Sequence, residues 1–263
     1  IAKGTQLLVV NIHETASADT VIRKAKNANL PILFFNREVS DEAIKSYDKA
    51  AFVGTDPDEA GHLQGSLAVD ILFKDGDWTR YDRNGDGKLG YVMLRADLDN
   101  PEANGRTKYS IETANKELAE KGAPALVRIG ADLMASWSTS TAKQLFDGVI
   151  ANSDQFNQVD LVFANNDDMA IGAINALKVA GYNIKGGDKF IPVFGVDATS
   201  PAKDHIRDGE MAGSILQDGQ AMAECLAVMI ENASKSLEFI SGTDYAYETN
   251  VKKIRIPYAK FTA

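Results

Sequence analysis

Asp82, Asn84 and Asp86 stand at alternate places in the run Asp82-Arg83-Asn84-Gly85-Asp86-Gly87-Lys88-Leu89-Gly90. Oxygen side chains at the first, third and fifth places of such a loop converge on a hard cation. The seventh residue, Lys88, can add its backbone carbonyl. Gly87 takes the sixth place, where a calcium loop turns sharply. The twelfth place, an acid in a full EF-hand, is Met93, and Tyr91-Val92-Met93-Leu94 reads as a strand rather than a second helix. The run therefore reads as half an EF-hand, a structural Ca2+ site that needs a carboxylate from elsewhere. A polar Asx/Gly turn between two elements is the plainer alternative. Gly85-x-Gly87-x-x-Gly90 also matches a dinucleotide fingerprint, but that loop must follow a strand and open a helix, and this one opens a strand.

A second set of chemical groups emerges from the elements that must carry them. Apolar runs of strand length alternate with helical patterns: a strand over Gln6–Ile12, a helix over Ala18–Asn29, strands at Pro31–Phe35 and Ala51–Gly54. Pro57 then opens a helix with Leu63, Leu67 and Ile71 on one face. Beyond the loop come a strand at Tyr91–Leu94 and a helix stopped by Gly122. A strand at Leu126–Ile129 precedes a helix with Ala142, Leu145, Phe146, Val149 and Ile150, and a strand at Asp160–Ala164 precedes a helix stopped by Gly181. Ile191–Val196, a short helix near Pro201–Asp208, Gly213–Leu216 and a helix over Gln220–Ser234 complete the series. Such alternation defines an α/β chain with parallel, doubly wound sheet.

Ligands of these sheets bind outside the carboxyl ends of the strands. Asn36-Arg37-Glu38, Asp97 to Arg106, Trp137, Asn165-Asn166-Asp167, Asp197 and Gln217-Asp218 each follow an expected strand. Clustered hydrogen-bonding groups with one indole suit a polar, neutral ligand. A sugar fits, because its hydroxyls need donors and acceptors and its ring face needs an aromatic platform. The alternative for each Asn or Asp is a helix cap.

Composition narrows the classes. With 263 residues, 44% of them hydrophobic and 25% charged, the chain is an ordinary globular protein with room for two cores. A net charge of −9 argues against a nucleic-acid partner. No apolar run is long enough to span a membrane. Cys225, the single cysteine, excludes an internal disulfide and lies in an apolar helical run, so it reads as core. His13, His62 and His205 are scattered, with no nucleophile elbow or phosphate loop, so no catalysis is expected.

Phe34-Phe35-Asn36-Arg37-Glu38, Ser46-Tyr47-Asp48-Lys49-Ala50, Val53-Gly54-Thr55-Asp56, the calcium loop, Asn100-Pro101-Glu102-x-x-x-Arg106-Thr107, Ala164-Asn165-Asn166-Asp167 and Pro192-Val193-Phe194-Gly195-Val196-Asp197-Ala198 together resemble the periplasmic galactose/glucose-binding proteins. These are substrate-binding proteins of ABC transporters with a two-lobed type I fold. The resemblance covers essentially the whole chain, and the calcium loop combined with Asn-Pro-Glu…Arg is its most specific part.

The resemblance implies a first lobe from 1–54 and 219–251, and a second from 55–218 and 252–263. The crossings would fall near Gly54–Asp56, Gln217–Gly219 and Val251–Lys253. It implies that Asn36, Arg37, Asn100, Glu102, Arg106, Asn166, Asp197 and Gln217 bind sugar and that Trp137 stacks on it. It also implies that Asp160 completes the Ca2+ site of Asp82, Asn84, Asp86 and Lys88. D-glucose or D-galactose would close the lobes on a cleft and be delivered to a membrane permease. A chemoreceptor is a further partner, and the setting is periplasmic or that of an exported lipoprotein.

Five positions depart from the family pattern. Asn100 stands for a histidine, Glu102 for an aspartate, Gln217 for an asparagine and Asp160 for a glutamate, and Gly90 replaces a side-chain oxygen donor. Family members also begin with further strands and helices that give the sugar an aspartate and an aromatic. Their counterparts here are expected in truncated sequence, a permuted segment or a partner chain. The strand at Gln6 would otherwise keep an open edge. A degenerate lobe serving as an interaction module is the alternative function.

Overall fold

The protein is described here by a computed structural model covering residues 4–263. In chain order it forms β1 (Leu8–Val10), α1 (Ala18–Asn27), β2 (Ile32–Asn36), α2 (Asp41–Lys45), β3 (Ala50–Gly54), α3 (Pro57–Leu72) and β4 (Leu89–Arg95). There follow α4 (Pro101–Glu120), β5 (Leu126–Arg128), β6 (Leu133–Met134), α5 (Thr139–Ala151), α6 (Ser153–Phe156), β7 (Leu161–Ala164) and α7 (Asp167–Val179). The last are β8 (Val193–Asp197), α8 (Ser200–Arg207), β9 (Gly213–Gln217), α9 (Gly219–Ser234), β10 (Lys253–Arg255) and β11 (Tyr258–Phe261). The chain divides into two compact units, 1–56 with 218–257, and 57–217 with 258–263.

In the first unit four parallel strands lie in the order β1-β2-β3-β10. Strand side chains alternate between faces. Ile32, Phe34, Ala50 and Phe52 therefore meet Ile22, Ala25, Ala43 and Ile44 of α1 and α2. Leu33, Ala51 and Val53 meet Met222, Cys225 and Met229 of α9 on the other side. Cys225 is core, as its apolar run implied, and burial pushes its thiol up to about 11. Only Leu8–Val10 of the Gln6–Ile12 run pairs as strand. It lies at the sheet edge, and Val9 is 42% exposed.

The third crossing differs from the expected Val251–Lys253. β10 pairs in parallel with β3, with Lys253 opposite Phe52 and Arg255 opposite Gly54, which holds the chain in the first unit as far as Pro257. The buried Lys253 ammonium explains why this polar segment could not be read as strand. It donates to the Val39 carbonyl at 2.6 Å and is ion-paired with Glu38 and Asp41, so a charged residue occupies an interior strand position.

The second unit holds a seven-stranded sheet, ordered β11-β9-β8-β7-β4-β5 with β6 also on β4. Every pairing is parallel except β11 on β9. Tyr91, Met93, Phe163, Phe194 and Ile215 pack under α3 and α4 with Leu67 and Leu118. Val92, Leu94, Val162 and Val193 pack under α5 and α7 with Phe146, Ala173 and Leu177. The carboxyl ends of β4, β6, β7, β8 and β9 thus open at one end of this unit, each followed by an expected polar group.

Candidate functional site

Arg106, on the second turn of α4 and 4% exposed, is the centre of the polar end of the second unit. Its Nη1 donates to the Asn165 carbonyl at 2.8 Å, and its Nη2 to Gln217 Oε1 at 3.0 Å and the Tyr258 hydroxyl at 2.9 Å. Nη1 also lies 3.8 Å from Asp197 Oδ1. Its buried Nε has no hydrogen-bond partner. A guanidinium held this way keeps its charge and leaves a donor to spend on a ligand.

Trp137 is half-buried beside it, its ring centroid 6.0 Å from the Arg106 guanidinium carbon. Trp137 Nε1 donates to Asp97 Oδ2 at 3.2 Å, which fixes the plane of the indole. Asp197 closes β8 with its side chain 30% exposed. Burial pushes its carboxyl up to about 7; Arg106 opposes that shift, and Asp167 and Asp168 add to it. Glu102 is buried and near enough to act on the charge of Arg106.

The capping reading also holds, and on some of the same residues. Asn100 Oδ1 accepts from the Ala103 N–H at 2.8 Å and caps α4, and Asn166 Oδ1 accepts from the Met169 N–H at 3.0 Å and caps α7. Capping uses one amide oxygen and leaves each NH2 group to donate elsewhere. Asp218 caps α9 through the Ala221 N–H. Asn165 is spent internally, its side chain bonded to the Ala96 N–H and to Thr107.

The structure gathers Arg106, Trp137, Asp197 and Gln217 around one guanidinium. Asn36 and Arg37 belong to the other unit. Asn36 ends β2, and Arg37 Nη1 lies 2.7 Å from His13 Nδ1 and donates to the His13 carbonyl at 3.0 Å. Asn36, Trp137 and Asp197 all have left-handed backbone, at φ 68°, 63° and 113°. Such conformations are costly for non-glycine residues and gather where function demands them.

Sequence reading missed Tyr258 and Gln64, and held Asp97 only as the start of the polar run Asp97 to Arg106, without its bond to Trp137. Tyr258 lies on β11, a short strand whose Ala-Lys-Phe continuation gives no apolar run. Gln64 is fully buried in α3 and donates to the Ala164, Phe194 and Gly195 carbonyls, tying the ends of β7 and β8 together. A glutamine among apolar helix positions was the one signal for it.

The expected calcium loop folds on itself. Asp82 Oδ1 accepts from the Gly85 and Asp86 N–H groups at 2.8 and 3.1 Å, and its Oδ2 from Gly87 at 2.7 Å. Asn84 accepts from the Asp86 N–H and Asp86 from the Lys88 N–H, both at 2.9 Å. Gly85 and Gly87 take positive φ, as the turn requires. Asp160, 2% exposed, accepts from the Arg83 N–H at 3.0 Å and the Gly90 N–H at 2.7 Å, one on each oxygen. Burial raises its carboxyl above the usual range against those two bonds. A Cβ on Gly90 would sit 1.8 Å from the Gln158 carbonyl, so no side-chain donor fits there.

Among the described residues no three His, Cys, Asp or Glu side chains converge as a metal cluster. The donors that fit a calcium ion are therefore mixed: Asp82, Asn84, Asp86 and the Lys88 carbonyl. Asp82 Oδ1 accepts two backbone bonds, whereas Asp82 Oδ2, Asn84 Oδ1 and Asp86 Oδ1 each accept one and retain a second lone pair.

Two largely parallel sheets in separate units, with polar side chains at the strand ends, define an α/β fold of the kind that binds ligands at the carboxyl ends of its strands. A family model described as "Periplasmic binding protein domain" matches residues 1–236, and the chain belongs to that family, one of binding proteins rather than enzymes. It is 35% identical over 98% of its length to the D-galactose/methyl-galactoside binding periplasmic protein MglB of Haemophilus influenzae, and spans 72% of that protein. A putative rhizopine-binding protein of Rhizobium meliloti is 29% identical over 83% of the chain, which spans 62% of it. An ABC transporter solute binding protein from Bacillus halodurans, solved with bound myo-inositol, aligns with a TM-score of 0.68 and 25% identity. That alignment covers 97% of this chain and 74% of the other. The type I fold expected from the sequence is thereby shown.

Proposed function

We propose that this chain is the sugar-binding part of an ABC-transporter receptor for a hexose, D-glucose or D-galactose, which it delivers to a membrane permease. The observation that carries the reading is Arg106, buried with an unspent Nε, flanked by the Asp197 carboxylate and the Trp137 ring. A charged fork and a carboxylate can divide the donors and acceptors of adjacent hydroxyls, while the indole covers the apolar ring face. Asn100, Glu102, Asn166 and Gln217 complete the set in this unit; Asn36 and Arg37, in the first unit, are the further candidate ligands that the resemblance implies. Similarity to MglB supports the galactose side of the choice.

Gln217 stands where the resemblance expects the shorter asparagine, and its extra methylene lets Oε1 reach Arg106. Ca2+ is proposed as a structural ion on Asp82, Asn84, Asp86 and the Lys88 carbonyl, with Asp160 holding the two ends of the loop. Bound there, it would stiffen the entry to β4. No described helix is long and apolar enough to cross a membrane, and the periplasmic relative supports export.

The test is tryptophan emission of a Trp78→Phe chain, which leaves Trp137 as the sole indole, titrated with D-glucose and D-galactose. A saturable change supports the reading. An emission unmoved by either sugar, in a folded sample, refutes it.

A further inference from the structure

Asp197 has φ 113° and Ala198 φ 50°, two consecutive non-glycine residues in the left-handed half of backbone space. A φ of that size is costly for a non-glycine residue and persists only where surrounding groups enforce it. The enforcing groups are buried. Asp167, the first residue of α7, is fully buried, and its Oδ2 accepts from the Thr199 N–H at 2.7 Å. Its Oδ1 accepts from the Ser214 hydroxyl at 2.6 Å, and Ser214 Oγ in turn accepts from the Ala198 N–H at 3.0 Å. Ser214, also fully buried, lies on β9 opposite Gly195. The carboxylate rests on that glycine, where a Cβ would come within 2.2 Å of Oδ1.

We propose that Asp167 and Ser214 are positioning residues that grip the two amides following Asp197 and so aim its carboxylate at the ligand. The proposal rests on the reading of Asp197 as a sugar ligand. Neither residue needs to touch the sugar. Asp167 sits behind β8, and its role is spent on Thr199 and Ser214. Without it the Thr199 amide loses its acceptor and the Ser214 hydroxyl, which accepts from the Ala198 amide, loses the carboxylate that orients it; the backbone at Asp197 then relaxes toward ordinary φ, turning the carboxylate away.

The test is a double-mutant cycle in the 263-residue chain. Asp167→Asn and Ser214→Ala are each made alone and on an Asp197→Asn background, with affinity for D-galactose and D-glucose read by NMR titration to millimolar sugar. Melting without sugar is read alongside. Asp167→Asn is expected to weaken binding about ten- to a hundredfold in the native background. On Asp197→Asn the loss shrinks to about twofold, since the aimed group is already altered. Ser214→Ala gives a smaller loss with the same pattern, and carries the test if Asp167→Asn fails to fold. Equal losses in both backgrounds would make the pair merely structural and overturn the proposal, as would unchanged affinity in the native background. Absence of hexose binding by the native chain refutes the sugar reading and this proposal together. Binding that is equal in native and variant chains refutes this proposal alone.

Discussion

Arg106 Nη1 lies 3.8 Å from Asp197 Oδ1, a buried cation beside a carboxylate, each presented by a different element of one unit. The guanidinium is anchored by the Asn165 carbonyl, Gln217 and Tyr258 rather than by the carboxylate alone. That leaves Asp197 able to take ligand hydroxyls without unpairing a buried charge.

Arg106→Lys keeps the charge and loses the fork. An ammonium cannot reach Asn165, Gln217 and Tyr258 together while offering a further donor. Hexose affinity should fall about ten- to a hundredfold, as expected when hydrogen bonds to a charged group are lost. Titration calorimetry checks this, and native affinity in the variant would remove Arg106 from the site.

Much of this arrangement was legible in the sequence. Helix stops at Gly122 and Gly181 and the Pro57 start of α3 follow from backbone chemistry local to a few residues. The strand ends carrying Asn166, Asp197 and Gln217 follow from apolar runs that parallel strands need. Tyr258 and β10 were not legible. Their segment has Lys253 and Arg255 where a strand should be apolar, and only long-range partners such as Glu38, Asp41 and Glu248 make that tolerable. The Asp167 grip on Thr199 and Ser214 was hidden for the same reason, since it joins residues 32 and 47 positions apart.

Calcium should raise the melting temperature, because an ion that binds only the folded loop stabilises it by mass action. At a hundredfold excess over Kd the gain is about 2.7 kcal/mol. Asp86→Ala should abolish the difference between calcium and chelator. A variant that still gains stability from calcium would move the ion elsewhere.

The contribution of Asp167 to stability should decline as pH rises from about 4 to about 6. Burial raises Asp167 from 3.8 to about 6, so the folded state holds that proton more tightly than the unfolded chain. The sign follows: the contribution is full below the unfolded value and is lost as pH climbs through the folded one. Asp197, pushed up to about 7, extends the decline in the same direction. Asp167→Asn should flatten the lower part of the curve in a melting series across pH, and an unchanged slope would show that Asp167 is ionised throughout.

The most direct test of the sugar-receptor account is calorimetric titration of the folded 263-residue chain with D-galactose and then D-glucose, with the Trp137→Ala variant in parallel. The account predicts saturable one-to-one binding of at least one hexose, weakened about tenfold or more when the stacking ring is removed. No heat from either hexose, or equal binding by the Trp137→Ala chain, would contradict it.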